Sequence, residues 1–230
     1  MKTVCIYHSI DLDGWMSAAI IKYWFIESNK PNNYIINGTE TSRGGNPYNP
    51  NYITFIGYNY GQPIPDLSEY DKVIMCDISF PTVNMNELYK TFKEDFIWID
   101  HHISAISDPN IRENWMTGLR TTTKSACELT WEFFFPNEVM PEIVRLLGRY
   151  DCFGHTGTDE EQKVLEFQYG ARQCINNYED AYKQLIITSS DVKENKDSNI
   201  NFIWNNGKSI YKYLCQDAKQ SYKNGFKIEF

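Results

Sequence analysis

The chain has 230 residues, a net charge of −8, and 42% hydrophobic and 15% aromatic residues. That is enough apolar material for one large domain, or one domain with a small appendage, and too much for a disordered chain. The acidic balance argues against broad binding of duplex nucleic acid, which needs a basic footprint, and no apolar run is long enough to span a membrane.

Residues 3–7 read as a short buried strand, Val4-Cys5-Ile6-Tyr7, that runs directly into His8-Ser9-Ile10-Asp11-Leu12-Asp13-Gly14. Asp13 then opens a helix in which Trp15, Ala18, Ala19, Lys22, Tyr23 and Ile26 recur at helical spacing, and the Asn/Pro-rich stretch 29–33 breaks it. Strands are expected at 34–36 and 52–56, separated by a Gly/Asn/Pro-rich loop over 44–51. Pro63 and Pro65 mark a loop before the strand Val73-Ile74-Met75-Cys76, which ends in Asp77. A helix around 84–93 leads to the strand Phe96-Ile97-Trp98-Ile99, which ends in Asp100-His101-His102. This alternation predicts an α/β fold with a Rossmann-like parallel sheet flanked by helices, whose ligands bind beyond the carboxyl ends of the strands. The second half predicts helices over 125–135 and 138–150, split by Pro136, and over 159–173, 178–187 and 201–223. The polar stretch 189–199 reads as a linker, and 226–230 alternates like the start of a strand. Six cysteines without a C-x-x-C pair, several inside apolar runs, predict free thiols in a reducing cytoplasm. The amino terminus reads as a strand followed by acids, so no signal peptide is expected.

Three of the four histidines lie in the two Asp-rich clusters, and three buried strands each end in a group able to bind a metal. Imidazole and carboxylate together suit Mn, Fe, Co or Zn, and the crowded acids need a counter-charge. Taken singly, Asp11 and Asp13 could be helix caps, His8 a satisfied histidine at a strand end, and Asp77 a turn former before Ser79 and Pro81. One Asp suffices for a cap, so the pair together with His8 favours ligation. Asp151, in Gly148-Arg149-Tyr150-Asp151-Cys152-Phe153, ends a predicted helix, where the dipole disfavours an anion unless a cation compensates.

These residues resemble the DHH family of phosphoesterases, which includes a single-strand-specific exonuclease, nanoRNA and cyclic-dinucleotide phosphodiesterases, exopolyphosphatases and family II pyrophosphatases. The matching motifs are His8/Asp11/Asp13/Gly14, Asp77, Asp100-His101-His102 and Asp151, in the family's order. The resemblance implies a first metal held by His8, Asp11 and Asp77, and a second held by Asp13, Asp77, His101 and Asp151, with Asp77 bridging. It implies that Asp100 orients a histidine and that His102 contacts the reacting phosphate and donates a proton. The implied cofactors are two divalent ions, Mn²⁺ foremost, with Mg²⁺ or Co²⁺ as substitutes. The implied reaction is hydrolysis of a phosphodiester or phosphoanhydride bond by a water that the two metals activate, on a short oligonucleotide, a cyclic dinucleotide or polyphosphate. The implied partners are a small phosphorylated substrate or a short single strand, and a homodimer is compatible with the sequence. The first-motif spacing departs from the pyrophosphatases, which place one more residue between the His and the first Asp.

The family domain is expected over 1–188, with a linker and C-terminal helix over 189–230. The family's second, glycine- and histidine-rich domain finds no match, so the chain is either a short member or a fragment. Phosphate contacts are sought among Arg43, Arg112, Arg120, Lys124, Arg145 and Arg149. Residues 120–125 precede a helix and read equally as an anion site or as a plain N-cap. His155 reads as a loop histidine, and Trp131, Phe133, Phe134 and Phe135 as core. The alternative of a different class is a non-catalytic protein that keeps the fold and binds a nucleotide or a protein partner.

Overall fold

The computed structural model describes residues 1–28, 33–36, 39–42, 53–111, 116–193 and 198–225. Tyr52, Arg43, Arg112, the loop expected at 44–51 and the strand expected at 226–230 lie outside the described residues. Four strands form one parallel sheet: β1 (Thr3–His8), β4 (Ile53–Tyr58), β5 (Lys72–Cys76) and β6 (Phe96–Ile99), in the order β4-β1-β5-β6. β1 is buried along its whole length and β6 likewise, as parallel strands covered on both faces must be. Side chains alternate between the faces. Val4, Ile6, Val73, Met75, Phe96 and Trp98 pack on one side, with Met85 of α2 (Thr82–Phe92). Cys5, Tyr7, Ile74, Cys76, Ile97 and Ile99 pack on the other, with Ala18, Ile21 and Phe25 of α1 (Leu12–Ser28). The Rossmann-like sheet expected from the alternating runs is therefore present.

Helix α1 is apolar around its circumference because it is buried on two sides. Its other face, Leu12, Met16, Ala19 and Ile20, packs into a second core built by α4 (Ala126–Phe134), α5 (Glu142–Asp151), α6 (Glu161–Cys174), α7 (Tyr178–Lys193) and α8 (Ser198–Asn224). Trp131 and Phe135 belong to this core, with Phe134 packed against it, so the aromatic run is structural. Helices α6 and α8 cross at Gly170 and Gly207, where an added Cβ would fall 1.9 Å from the Ile203 carbonyl oxygen and 1.7 Å from the Glu166 carbonyl oxygen.

Several local expectations change. Residues 33–36 pair with 39–42 as an antiparallel hairpin, β2 (Asn33–Ile36) and β3 (Thr39–Ser42), and do not join the main sheet. A short helix, α3 (Ile103–Ile106), follows His102. α5 begins at Glu142 rather than 138, because the residue before Pro141 is sterically turned away from helix and Pro141 itself takes the N-cap. α7 runs on to Lys193 and α8 starts at Ser198, so much of the stretch read as a linker is helical. All six cysteines are free. Among the described residues, no helix is long and apolar enough to cross a membrane.

Candidate metal centre

The chain leaves β1 for β4 on one side and then crosses to β5 on the other, so the carboxyl ends of β1, β5 and β6 open onto a switch point. Each of these strands delivers its polar residue there: His8 ends β1, Asp77 follows β5, and Asp100-His101-His102 follows β6. Asp77 sits at φ 61, a left-handed conformation that Asp tolerates better than most residues, and its N–H donates to the Ile99 carbonyl at 3.0 Å. Gly14 lies so close to the end of β1 that a Cβ would be 2.1 Å from the His8 carbonyl oxygen. The strand and the start of α1 can meet only because position 14 has no side chain.

Six of the expected residues come together. His8 Nδ1 lies 2.6 Å from Asp11 Oδ2 and 3.5 Å from Asp77 Oδ2. His101 Nε2 lies 3.1 Å from Asp151 Oδ2, 3.3 Å from Asp77 Oδ1 and 3.6 Å from Asp13 Oδ2. Two of the groups with ligand-like spacing are therefore His8/Asp11/Asp77 and Asp13/His101/Asp151, with the two oxygens of Asp77 turned one to each histidine. Asp11 also caps α1, its Oδ1 accepting the Gly14 N–H at 2.9 Å, so capping and membership of the cluster coexist in one carboxylate. Asp13 is only 2% exposed and accepts the backbone N–H groups of Ala126 and Cys127 at 2.8 Å each. The N-terminus of α4, which the sequence offered as an anion site, is thus filled by the protein's own carboxylate, while Ser125 and Glu128 close a capping box around it.

Asp100 is fully buried behind the cluster. Its Oδ1 accepts the backbone N–H groups of His101 and His102 at 2.7 and 3.1 Å and faces His102 Nδ1 at 2.8 Å, and Trp98 Nε1 donates to Oδ2 at 3.2 Å. His102 also stands 3.7 Å from Asp77 Oδ1, in a third group with Asp77 and His101. The Tyr60 ring lies 5.9 Å from the His8 ring and 6.4 Å from that of His102. Sequence reading had not singled out Tyr60.

The arginines and lysines proposed for phosphate are mostly spoken for. Arg120 donates to the carbonyls of Trp98 and Met116 and lies over the Trp98 ring. Lys124 pairs with Glu132, Arg145 with Glu142 and Glu160, and Arg149 with Glu128. His155 bonds the Arg149 carbonyl and stacks on Tyr150, as a loop histidine would. Among the described residues, a cation that does stand by the cluster is Arg172, on α6, at a cavity it shares with Asp11, Asp13 and Asp151.

A divalent cation fits this donor set. Both oxygens of Asp77 and both ring nitrogens of His8 are buried without a properly directed hydrogen bond, a costly state that a cation among nitrogen and oxygen donors would relieve. Burial opposes charge on His8, but Asp11 and Asp77 outweigh it and raise its pKa to about 10. In the same way Asp151, Asp77 and Asp13 raise His101 to about 11 against burial. Burial, with Asp77 and Asp151 nearby, pushes Asp13 well up, and burial also raises Asp77. Without metal, the two imidazolium ions thus act as counter-charge. Their stabilisation is full below the ordinary imidazole value near 6.5 and is lost as pH rises through about 10 and 11. Metal must displace those protons. Loading with Mn²⁺ at about pH 7.5 is expected to release a proton from each of His8 and His101, and affinity is expected to rise with pH. Titration calorimetry in buffers of different ionisation enthalpy measures the release, and a buffer-independent heat would contradict it.

A family model described as "DHH family, N-terminal domain" matches residues 3–148. The chain is 28% identical over 184 residues to "Uncharacterized protein R106" of Acanthamoeba polyphaga mimivirus, covering 80% of this chain and 41% of that protein. It therefore spans less than half the length of this curated relative. No solved structure matches it.

Proposed function

Since the chain belongs to the DHH family, whose members are generally phosphoesterases, we propose that it hydrolyses a phosphodiester or phosphoanhydride bond with the help of two divalent metal ions. The observation that carries this reading is Asp77, buried, with its two oxygens lacking directed hydrogen bonds and turned to the two histidine-carboxylate groups. His8, Asp11 and Asp77 would hold one ion, and Asp13, Asp77, His101 and Asp151 the other. Bound divalent ions would supply activation of a water and neutralisation of phosphoryl charge. The nitrogen and carboxylate donors favour Mn²⁺, with Mg²⁺ or Co²⁺ as substitutes.

The protein's own contribution is orientation and proton supply. Asp100 fixes the His102 ring through Nδ1 and holds both neighbouring backbone amides, which leaves Nε2 for the substrate. The same carboxylate raises the His102 pKa against burial, which favours the protonated imidazole that can give a proton to a leaving oxygen. The substrates are small phosphorylated molecules or short single strands, and the free thiols agree with the cytoplasm.

Chelation is expected to abolish hydrolysis of short RNA, cyclic dinucleotide, polyphosphate or pyrophosphate, and Mn²⁺ to restore it best. His102→Ala is expected to lower turnover by about 10²–10⁴-fold, most for esters with poor leaving groups, at unchanged metal content. Activity that survives exhaustive chelation, or loss of metal from His102→Ala by elemental analysis, would show this division of roles to be wrong.

A further inference from the structure

We propose, resting on the hydrolytic reading, that Tyr60 is a positioning residue: its ring pens the His102 imidazole against Asp100, so that Nε2 keeps its aim at the leaving oxygen. Asp100 anchors one atom of that imidazole, Nδ1, at 2.8 Å. A ring held at one atom can still swing about that bond, and proton transfer in the transition state tolerates little misplacement. What confines the ring is a cage of three others. The centres of His101, His8 and Tyr60 lie 4.7, 6.2 and 6.4 Å from that of His102, the last two edge-on. Edge-on is a favoured meeting of aromatic rings at this range. His101 and His8 belong to the metal groups, so their rings answer to other demands. Tyr60 stands outside those groups and is free to serve His102.

The backbone around Tyr60 is built to hold it there. β4 ends at Tyr58, and the chain turns through Asn59-Tyr60-Gly61-Gln62. The Gln62 N–H donates to the Asn59 carbonyl at 3.1 Å and closes the turn, while Gly61 takes φ 86, which a side chain would oppose. Further bonds brace it. Asn59 Oδ1 accepts the Tyr60 N–H, Gln62 Oε1 accepts the Asn59 N–H, and the Tyr58 hydroxyl donates to the Gln62 carbonyl, each at 2.9 Å. The Tyr60 hydroxyl reaches Ser79, on the segment that carries Asp77. Tyr60 thus spans from the end of β4, past His8, to the loop after β5. At 51% exposure it belongs to none of the hydrophobic clusters, so core packing does not explain so rigid a turn.

The test compares 4-nitrophenyl methyl phosphate with phenyl methyl phosphate, which differ in how well the phenol leaves. Tyr60→Ala is expected to lower kcat about 10–100-fold on the phenyl ester and much less on the nitrophenyl ester, at unchanged KM and metal content. Tyr60→Phe, which keeps the ring, is expected to restore most of the loss. In a His102→Ala background Tyr60→Ala is expected to cost nothing further, because its effect passes through that imidazole. Equal losses on the two esters, an undiminished loss in the His102→Ala background, or a rise in KM at unchanged kcat overturns the proposal; the last marks a ring that only touches substrate. Should Tyr60→Ala fail to fold, Tyr60→Leu takes its place. A second measurement needs no turnover. With only four histidines in the chain, ring relaxation of the histidine-labelled, Mg²⁺-loaded full chain reads each one. Tyr60→Ala is expected to raise the nanosecond mobility of the His102 ring and to leave His155 as it was, and an equally rigid His102 ring overturns the proposal. Chelator-sensitive hydrolysis of the nitrophenyl ester by the parent upholds the hydrolase however the Tyr60 variants behave. If the parent cleaves neither ester, the hydrolytic reading fails on both and ring mobility alone decides the confinement.

Discussion

Asp77→Asn is expected to lower kcat/KM by more than about 10³-fold and to strip metal from both groups at once. Asparagine is the informative replacement because it keeps the volume and tolerates the left-handed backbone at φ 61, whereas alanine would add strain to the loss of charge. What changes is the anion between His8 and His101. In the metal-free state the His8 and His101 imidazolium ions offset the cost of that anion only in part, since burial raises its pKa on balance and neither oxygen has a directed hydrogen bond. The variant should therefore melt at the same temperature as the parent or higher in chelator, and lose the stabilisation that Mn²⁺ confers on the parent. Elemental analysis and paired melts read both halves. Retention of two tightly held ions, or a large fall in the metal-free melting temperature, would refute the bridging role.

Gly14→Ala is expected to cost stability and metal affinity together. The added carbon would lie 2.1 Å from the His8 carbonyl oxygen and 2.8 Å from the His8 Cβ, so it meets backbone that belongs to the central strand. Relief requires β1 and α1 to separate, at a cost of about 3 kcal/mol or more, or about 10 °C in melting temperature. Because that separation also moves His8 away from Asp77, metal affinity should fall together with stability. A soluble variant with parental melting and parental metal content would mean that the helix start accommodates the methyl by some other route.

The legible part of this chain is the part governed by the buried parallel strands. Val4-Cys5-Ile6-Tyr7, Val73-Ile74-Met75-Cys76 and Phe96-Ile97-Trp98-Ile99 are continuous apolar runs because both faces of the sheet are covered. Their ends mark the ligand side of the fold, so His8, Asp77 and His101 could be brought together on paper. The strand at 34–36 is legible, but its partner β3 and the short α3 are not, being too brief to show a period. The start of α5 was misplaced because Pro136 is conspicuous, although Pro141 is the proline that sets the boundary. Partnerships between distant elements were hidden altogether. Nothing local in Arg120 says that Trp98 and Met116 carbonyls engage it, or that α4 spends its first amides on Asp13. Arg172 lies on α6, and only the packing of α5 and α6 turns it toward the cavity beside the cluster.

The grip of α4 on Asp13 also orders events in time. The carboxylate and the amides that hold it are 113 and 114 residues apart in the chain, and their meeting requires the sheet half and the helical half to have docked. During synthesis, β1 and α1 emerge long before α4 exists, so Asp13 must stay hydrated and the core around Met16 and Ile20 cannot yet close over it. Docking of the two halves and burial of that charge are thus one late event, with the loop-closure entropy of a long chain segment set against it. The complete cluster exists only after that event. Metal capture therefore reports the finished fold rather than nucleating it, and in refolding the signal of a bound ion should trail the recovery of helix.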